Sequence, residues 1–206
     1  MPAPLTSPAP FSAALLAAGR SKRMGREKAL LPLGGRPLWR RQRDVLRAAG
    51  AGEVLLSARP DQRWALCAAG FTAIVHDPTP DGGPLAGIVA ALEAAAHKRV
   101  AVLAIDLPRL PARWLAELAA AATENRGVVG RRGRRFEPLA AVYPKRMLPL
   151  ARAALARGDL ALQPLLQTAV DAGLLRVRRI AASEAPWFTN WNTPALPRKR
   201  RPSGRK

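Results

Sequence analysis

Residues 11–28 read FSAALLAAGRSKRMGREK. The first part, Phe11 to Ala17, is a short apolar run bounded by Pro10 and Gly19. An apolar run of strand length between turn residues is the pattern of a strand buried on both faces, as in a parallel sheet. The continuation from Ala18 to Gly25 and on to Lys28 is glycine-bounded and basic. Small residues at Ala17, Ala18 and Gly19 let backbone N–H groups approach a phosphate or a base closely. Arg20, Lys22, Arg23 and Lys28 bring the charge to neutralise a triphosphate. Neither G-x-G-x-x-G nor G-x-x-x-x-G-K-[ST] occurs in this loop, which excludes the dehydrogenase fingerprint and the Walker A loop. A nucleotide site of another kind is required.

Outward from this segment the chain alternates strand and helix patterns. Arg36 to Ala49 carries Leu38, Gln42, Val45, Leu46 and Ala49 at helical spacing, with Pro37 in the first turn and Gly50 beyond the end. Glu53 to Ala58 and Ala73 to His76 read as strands. A loop rich in Pro and Gly leads into a helix from Leu85 to Ala96, and Arg99 to Ile105 is a further strand. Pro111 to Thr123 is an amphipathic helix. Val128, Val129 and the stretch Phe136 to Tyr143 make a hairpin, Lys145 to Ala172 is helix-rich, and Leu174 to Ile180 closes the pattern as a strand. Strands separated by helices at this spacing predict βαβ units and a mainly parallel sheet. The reading is one α/β domain over residues 11–196, after an irregular leader (1–10) with four prolines and before a disordered basic tail (197–206).

Composition narrows the function classes. The 206 residues include one cysteine, Cys67, and two histidines, His76 and His97. An internal disulfide and a Cys-cluster metal site are thereby excluded, and a His-rich zinc site is disfavoured. No apolar run approaches the ~20 residues of a bilayer span, and no basic residue precedes the apolar run near the N-terminus. A cytoplasmic protein without membrane contact is expected. The formal charge of +20 suggests a polyanionic partner, but six of those charges lie in the tail and Arg outnumbers Lys 28 to 6. With no nucleic-acid motif beside it, the charge reads as a solvated surface that attracts phosphorylated substrates rather than nucleic acid.

Ligands of an open parallel sheet sit beyond the carboxyl ends of its strands, and two more constellations lie there. Asp77 follows a strand and precedes Gly82-Gly83-Pro84-Leu85-Ala86-Gly87 at a helix start. A strand-end carboxylate accepts hydrogen bonds from a sugar or base, and a glycine-led helix N-terminus favours anions. Asp106, in Leu103-Ala-Ile-Asp-Leu-Pro108, directly follows an apolar strand. Mg²⁺ takes one or two carboxylates and completes its shell with phosphate oxygens and water, so Asp106 is the expected metal ligand.

The segment LAAGRSKRMGREK resembles the signature loop of the nucleotidyltransferases that attach a nucleoside monophosphate to a phosphorylated acceptor. Glu27 stands where the sugar-phosphate members carry proline. Gly83 to Gly87, Asp106-Leu-Pro108, Glu137-Pro-Leu-Ala-Ala-Val-Tyr-Pro144 and Asn190-Trp-Asn-Thr-Pro194 extend the resemblance, in order, to the molybdenum cofactor guanylyltransferases. The resemblance implies a Rossmann-like nucleotidyltransferase fold with helices on both faces of the sheet. It also implies transfer of GMP from MgGTP to the terminal phosphate of molybdenum-bound molybdopterin, with release of pyrophosphate. Lys28, Arg23 and Asp106 would be catalytic. Leu16, Ala17, Ala18, Gly19, Ser57, Asp77, Gly83 and Gly87 would line the nucleotide site, and Asn190 and Asn192 the acceptor side. Partners would include molybdoenzyme apoproteins or other cofactor-biosynthesis proteins.

Three departures stand out. Ala18 gives L-A-A-G, the form of the cytosine-using relatives, where guanine users have L-A-G-G. Ser57-Ala-Arg59 replaces N-x-[NR], and Gly158 to Gln163 lacks a basic residue found in some members. The alternatives are accordingly a CTP-using cytidylyltransferase for the same cofactor and a non-catalytic basic nucleotide- or nucleic-acid-binding protein.

Overall fold

Strand β1 (Ser12–Leu16) owes its central place to apolar residues on both sides of its pleat. Ala13 and Leu15 enter one core and Ala14 and Leu16 the other, so no face is left for water. The computed structural model describes residues 10–19, 27–77, 79 and 81–191. The expectations for the tail and for residues 1–9 of the leader fall outside that range.

In chain order the elements after β1 are β2 (Pro32–Leu33), β3 (Arg36–Pro37), α1 (Leu38–Ala48), β4 (Glu53–Ser57), α2 (Arg63–Leu66), β5 (Ala73–Val75) and α3 (Gly83–Ala94). They continue as β6 (Arg99–Ala104), α4 (Ala112–Ala121), β7 (Gly127–Arg132), β8 (Arg135–Pro144), α5 (Leu148–Ala156), α6 (Leu162–Asp171) and β9 (Leu175–Arg179). Seven strands form one sheet in the order β5-β4-β1-β6-β8-β7-β9. Only β8 opposes the common direction, pairing antiparallel with β6 on one side and β7 on the other. Helices cover both faces, as expected. α1 and α4 bury Leu38, Leu46, Trp114, Leu115 and Leu118 in one core, and α3, α5 and α6 bury Leu85, Ile88, Ala151, Leu165 and Leu166 in the other.

The predicted strands are all present, with ends shifted by at most two residues except in β7, which runs three residues past Val129. The first helix differs more instructively. It begins at Leu38 rather than Arg36, because Gly34 and Gly35 adopt φ of +61° and +78° and turn Arg36–Pro37 back onto Pro32–Leu33. The short helix α2 adds an element that the periodicity does not predict. Among the described residues no helix is long and apolar enough to cross a membrane.

Candidate active site

Four neighbouring parallel strands end at one edge of the sheet. Leu16 of β1 lies opposite Ser57 of β4 and Ala104 of β6, and Ser57 lies opposite Val75 of β5. The segments leaving these strands, Ala17–Gly19, Ala58–Arg59, His76–Asp77 and Ile105–Asp106, therefore gather there, where ligands of such sheets bind. Because β8 runs the other way, its first residues reach the same edge.

At this edge Ser57, Asp77, Gly87 and Leu16 converge. Ser57 is fully buried, and its Oγ donates to Asp77 Oδ1 at 3.1 Å. Burial pushes the Asp77 carboxyl above its usual range, against the opposing influence of the Ser57 hydrogen bond and the nearby His76 and Arg59. A Cβ at position 87 would stand 3.1 Å from Ser57 Oγ, 3.3 Å from Leu16 Cδ2 and 3.6 Å from Asp77 Oδ1. Helix and strand approach closely there, so any side chain would require Ser57 or Leu16 to give by a few tenths of an ångström. Gly87→Val is expected to displace Ser57 and Asp77 and to cost about 1–3 kcal/mol of stability by overpacking. Thermal melting with and without nucleotide checks this, the nucleotide-dependent increment falling along with the melting temperature.

Lys28 opens a single 3-10 turn, Lys28–Leu30, anchored by buried Ala29. Its Nζ lies 3.8 Å from Asp106 Oδ2, and both side chains are partly exposed, at 22% and 24%. Two charges from separate sequence motifs thus face each other across the edge. Asp106 sits in a turn held by main-chain contacts. Its carbonyl accepts from Trp191 N at 2.8 Å, which brings Trp191 and the preceding Asn190 close to it. Fully buried Gln42 of α1 donates from Nε2 to the carbonyls of Ala104 (3.2 Å) and Leu107 (3.0 Å), straddling Asp106, and Arg41 Nε donates to the Pro108 carbonyl at 3.0 Å. Among the described residues no group of three or more His, Cys, Asp or Glu side chains could hold a metal ion. A lone, partly exposed carboxylate facing a lysine at the carboxyl edge of a parallel sheet nevertheless suits a hard divalent cation that keeps water and takes its other ligands from a bound phosphate compound.

Of the other expected site residues, Ala17 and Ala18 sit at this edge with their carbonyls hydrogen-bonded by Gln62 (3.1 Å) and Arg59 (2.6 Å). Gly83 begins α3 with φ of +61°, and nothing lies within 4 Å of where its Cβ would be. Asn190 is exposed and adjoins Trp191. Arg23 and Asn192 lie outside the described residues. Trp187 and Trp191 pack partly buried against the core, Trp187 edge-on to Trp114 with ring centroids 6.5 Å apart.

Sequence reasoning missed Gln42, Arg59, Gln62 and Glu27 as parts of the site. Gln42 had a readable signal, a polar residue on the apolar stripe of an amphipathic helix. Glu27 and Arg59 stand in stretches that the resemblance already marks, but their pairing with each other and with Gln62 is hidden because the partners are remote in sequence.

The family described as MobA-like NTP transferase domain matches residues 13–173. A probable molybdenum cofactor guanylyltransferase of Opitutus terrae is 41% identical over 187 residues, spanning 89% of this chain and 91% of that protein. A molybdenum cofactor guanylyltransferase of Pseudomonas putida is 33% identical over 190 residues, spanning 91% and 95%. Among solved structures, a molybdopterin-guanine dinucleotide biosynthesis protein A from Archaeoglobus fulgidus superposes with a TM-score of 0.71 at 22% identity, spanning 89% of this chain and 93% of that one. A nucleotidyl transferase from Methanothermobacter gives 0.72 at 22% identity, over 88% and 91%. These two share the fold. With a family match across most of the sheet and full-length relatives at this identity, the chain belongs to the MobA-like NTP transferase family, in its molybdenum cofactor guanylyltransferase branch.

Proposed function

We propose that the protein transfers GMP from MgGTP to the terminal phosphate of molybdenum-bound molybdopterin. The observation that carries this reading is the meeting of Lys28 and Asp106, 3.8 Å apart, at the edge where Ala17–Gly19 and the Ser57–Asp77–Gly87 cluster also lie. An oxygen of the acceptor phosphate attacks the α-phosphorus of GTP. A new P–O–P link forms, the bond from the α-phosphorus to the bridging oxygen breaks, and pyrophosphate leaves with the electron pair.

No protein nucleophile is needed, since the acceptor is already anionic. The chain's part is positioning and charge neutralisation. Lys28, with Arg23, neutralises the triphosphate and the charge that builds on the departing pyrophosphate. Ala18 and Gly19 present main chain to the nucleotide, beside Leu16 and Ala17, where the Leu16 carbonyl is held by Ile105 N and the Ala17 N–H by the Ser57 carbonyl; Ser57, Asp77, Gly83 and Gly87 border the nucleoside. Asp106 would hold Mg²⁺, which supplies further neutralisation of the phosphates when bound. Asn190 and Asn192 are assigned to the acceptor. The product passes to molybdoenzyme apoproteins or other proteins of cofactor biosynthesis.

GTP is favoured over CTP because full-length relatives at 33–41% identity carry the guanylyl name. Ala18 is the feature that points to cytosine. Its carbonyl is engaged by Arg59, a main-chain contact that glycine would make equally, so the choice of base rests on the relatives. Thermal melting with each nucleotide and Mg²⁺ tests the reading. GTP at ~100 times its dissociation constant should add about 2.7 kcal/mol, CTP much less, and Asp106→Ala should weaken the response. Preference for CTP would reassign the base, and silence with both nucleotides would overturn nucleotidyl transfer.

A further inference from the structure

Glu27 ends the basic loop, directly before Lys28, and both of its carboxylate oxygens are engaged. Arg59 Nη2 donates to Oε1 at 2.9 Å, and Gln62 Nε2 donates to Oε2 at 2.7 Å. The same two side chains hold the start of the loop. Arg59 Nη1 donates to the Ala18 carbonyl at 2.6 Å, and Gln62 Nε2 to the Ala17 carbonyl at 3.1 Å. They also hold each other, since Arg59 N donates to Gln62 Oε1 at 2.7 Å, while Arg59 Nε is tied to Asp61 Oδ1 at 2.9 Å.

Gln62 is 3% exposed, and the Arg59–Glu27 pair is partly shielded at 18% and 30%. An isolated surface ion pair would order little. Here a charge-assisted pair is joined to a buried amide and two main-chain carbonyls, and such a network fixes geometry as well as adding energy. Its position joins two features of the sequence. A carboxylate replaces proline before Lys28, and Arg59 stands two residues after Ser57, where it can reach that carboxylate.

We propose that Glu27, Arg59 and Gln62 are positioning residues that join the two ends of the basic loop and thereby set the stance of the Lys28 ammonium opposite Asp106. The proposal rests on the reading of Lys28 as a group that neutralises charge in the transition state. A displacement of about 1 Å in such a group can cost on the order of a hundredfold in rate. The network is therefore expected to act on kcat more than on nucleotide affinity.

The test is a double-mutant cycle on full-length protein, following pyrophosphate release with GTP, Mg²⁺ and molybdenum-loaded molybdopterin, with GTP affinity measured separately by calorimetry. Arg59→Ala and Glu27→Ala should each lower kcat by roughly 10- to 100-fold with a smaller change in GTP affinity. The gentler Arg59→Lys should fall between them and wild type. In a Lys28→Ala background the same substitutions should change kcat by less than about twofold, because residues that act through one group are not additive.

An equal fold-loss in both backgrounds would reduce the network to a structural brace and overturn the proposal. So would unchanged kcat in Arg59→Ala, or in Arg59→Lys if the alanine variants do not fold. Wild-type protein that binds no GTP would instead overturn the functional reading, so the two failures are seen in different samples.

Discussion

Lys28→Ala is expected to lower GTP-dependent pyrophosphate release by about 10²- to 10³-fold, the loss typical when one preorganised charge or donor is removed from a transition state. The fold should survive. The side chain is partly exposed, and its ion pair with Asp106 is long at 3.8 Å. A pair of that kind contributes at most about 1 kcal/mol to stability. Ala29, the buried anchor of the turn, is untouched. Steady-state kinetics at saturating GTP, with circular dichroism as the folding control, gives the answer. Turnover like that of wild type would remove Lys28 from the catalytic machinery.

Asp106→Asn should be at least as damaging, by about a hundredfold or more, because it withdraws the carboxylate that faces Lys28 at the phosphate site. It should also abolish the extra thermal stabilisation that Mg²⁺ gives on top of GTP. The substitution keeps the shape of the side chain, and the turn is held through main-chain groups: the Asp106 carbonyl by Trp191 N, and the carbonyls of Ala104 and Leu107 by Gln42. Geometry should accordingly persist while the charge is lost. If Mg²⁺ still strengthens GTP binding in the variant, the metal ligand lies elsewhere.

Much of this site is legible because strand ends are written in the sequence. Strand patterns ending at Ala17, Ala58, His76 and Ile105, one residue beyond the observed ends, deliver the loops after them to one edge once the sheet is parallel, so Asp77 and Asp106 stand out as strand-end carboxylates and Lys28 as the last charge of the first loop. The resemblance then selects the chemistry. Local patterning does not reveal the helix start at Leu38, since the Gly34-Gly35 reversal creates a small hairpin out of residues that have helical spacing. Nor can it reveal Arg59, whose partners at Ala18 and Glu27 lie 41 and 32 positions away. Such pairs depend on the register of β4 against β1, which is a property of the assembled sheet.

The place of β1 has a consequence for the order of assembly. This first strand is also a middle one, flanked by β4, which starts at residue 53, and by β6, which starts at residue 99. During synthesis from the N-terminus, both of its hydrogen-bonding sides are complete only after Ala104 has left the ribosome. Long-range pairing of this kind is slow and exposes apolar edges in the interval. Residues 17–19 and 27–28 hang from β1, so this catalytic edge takes shape in the second half of translation even though its sequence is made first.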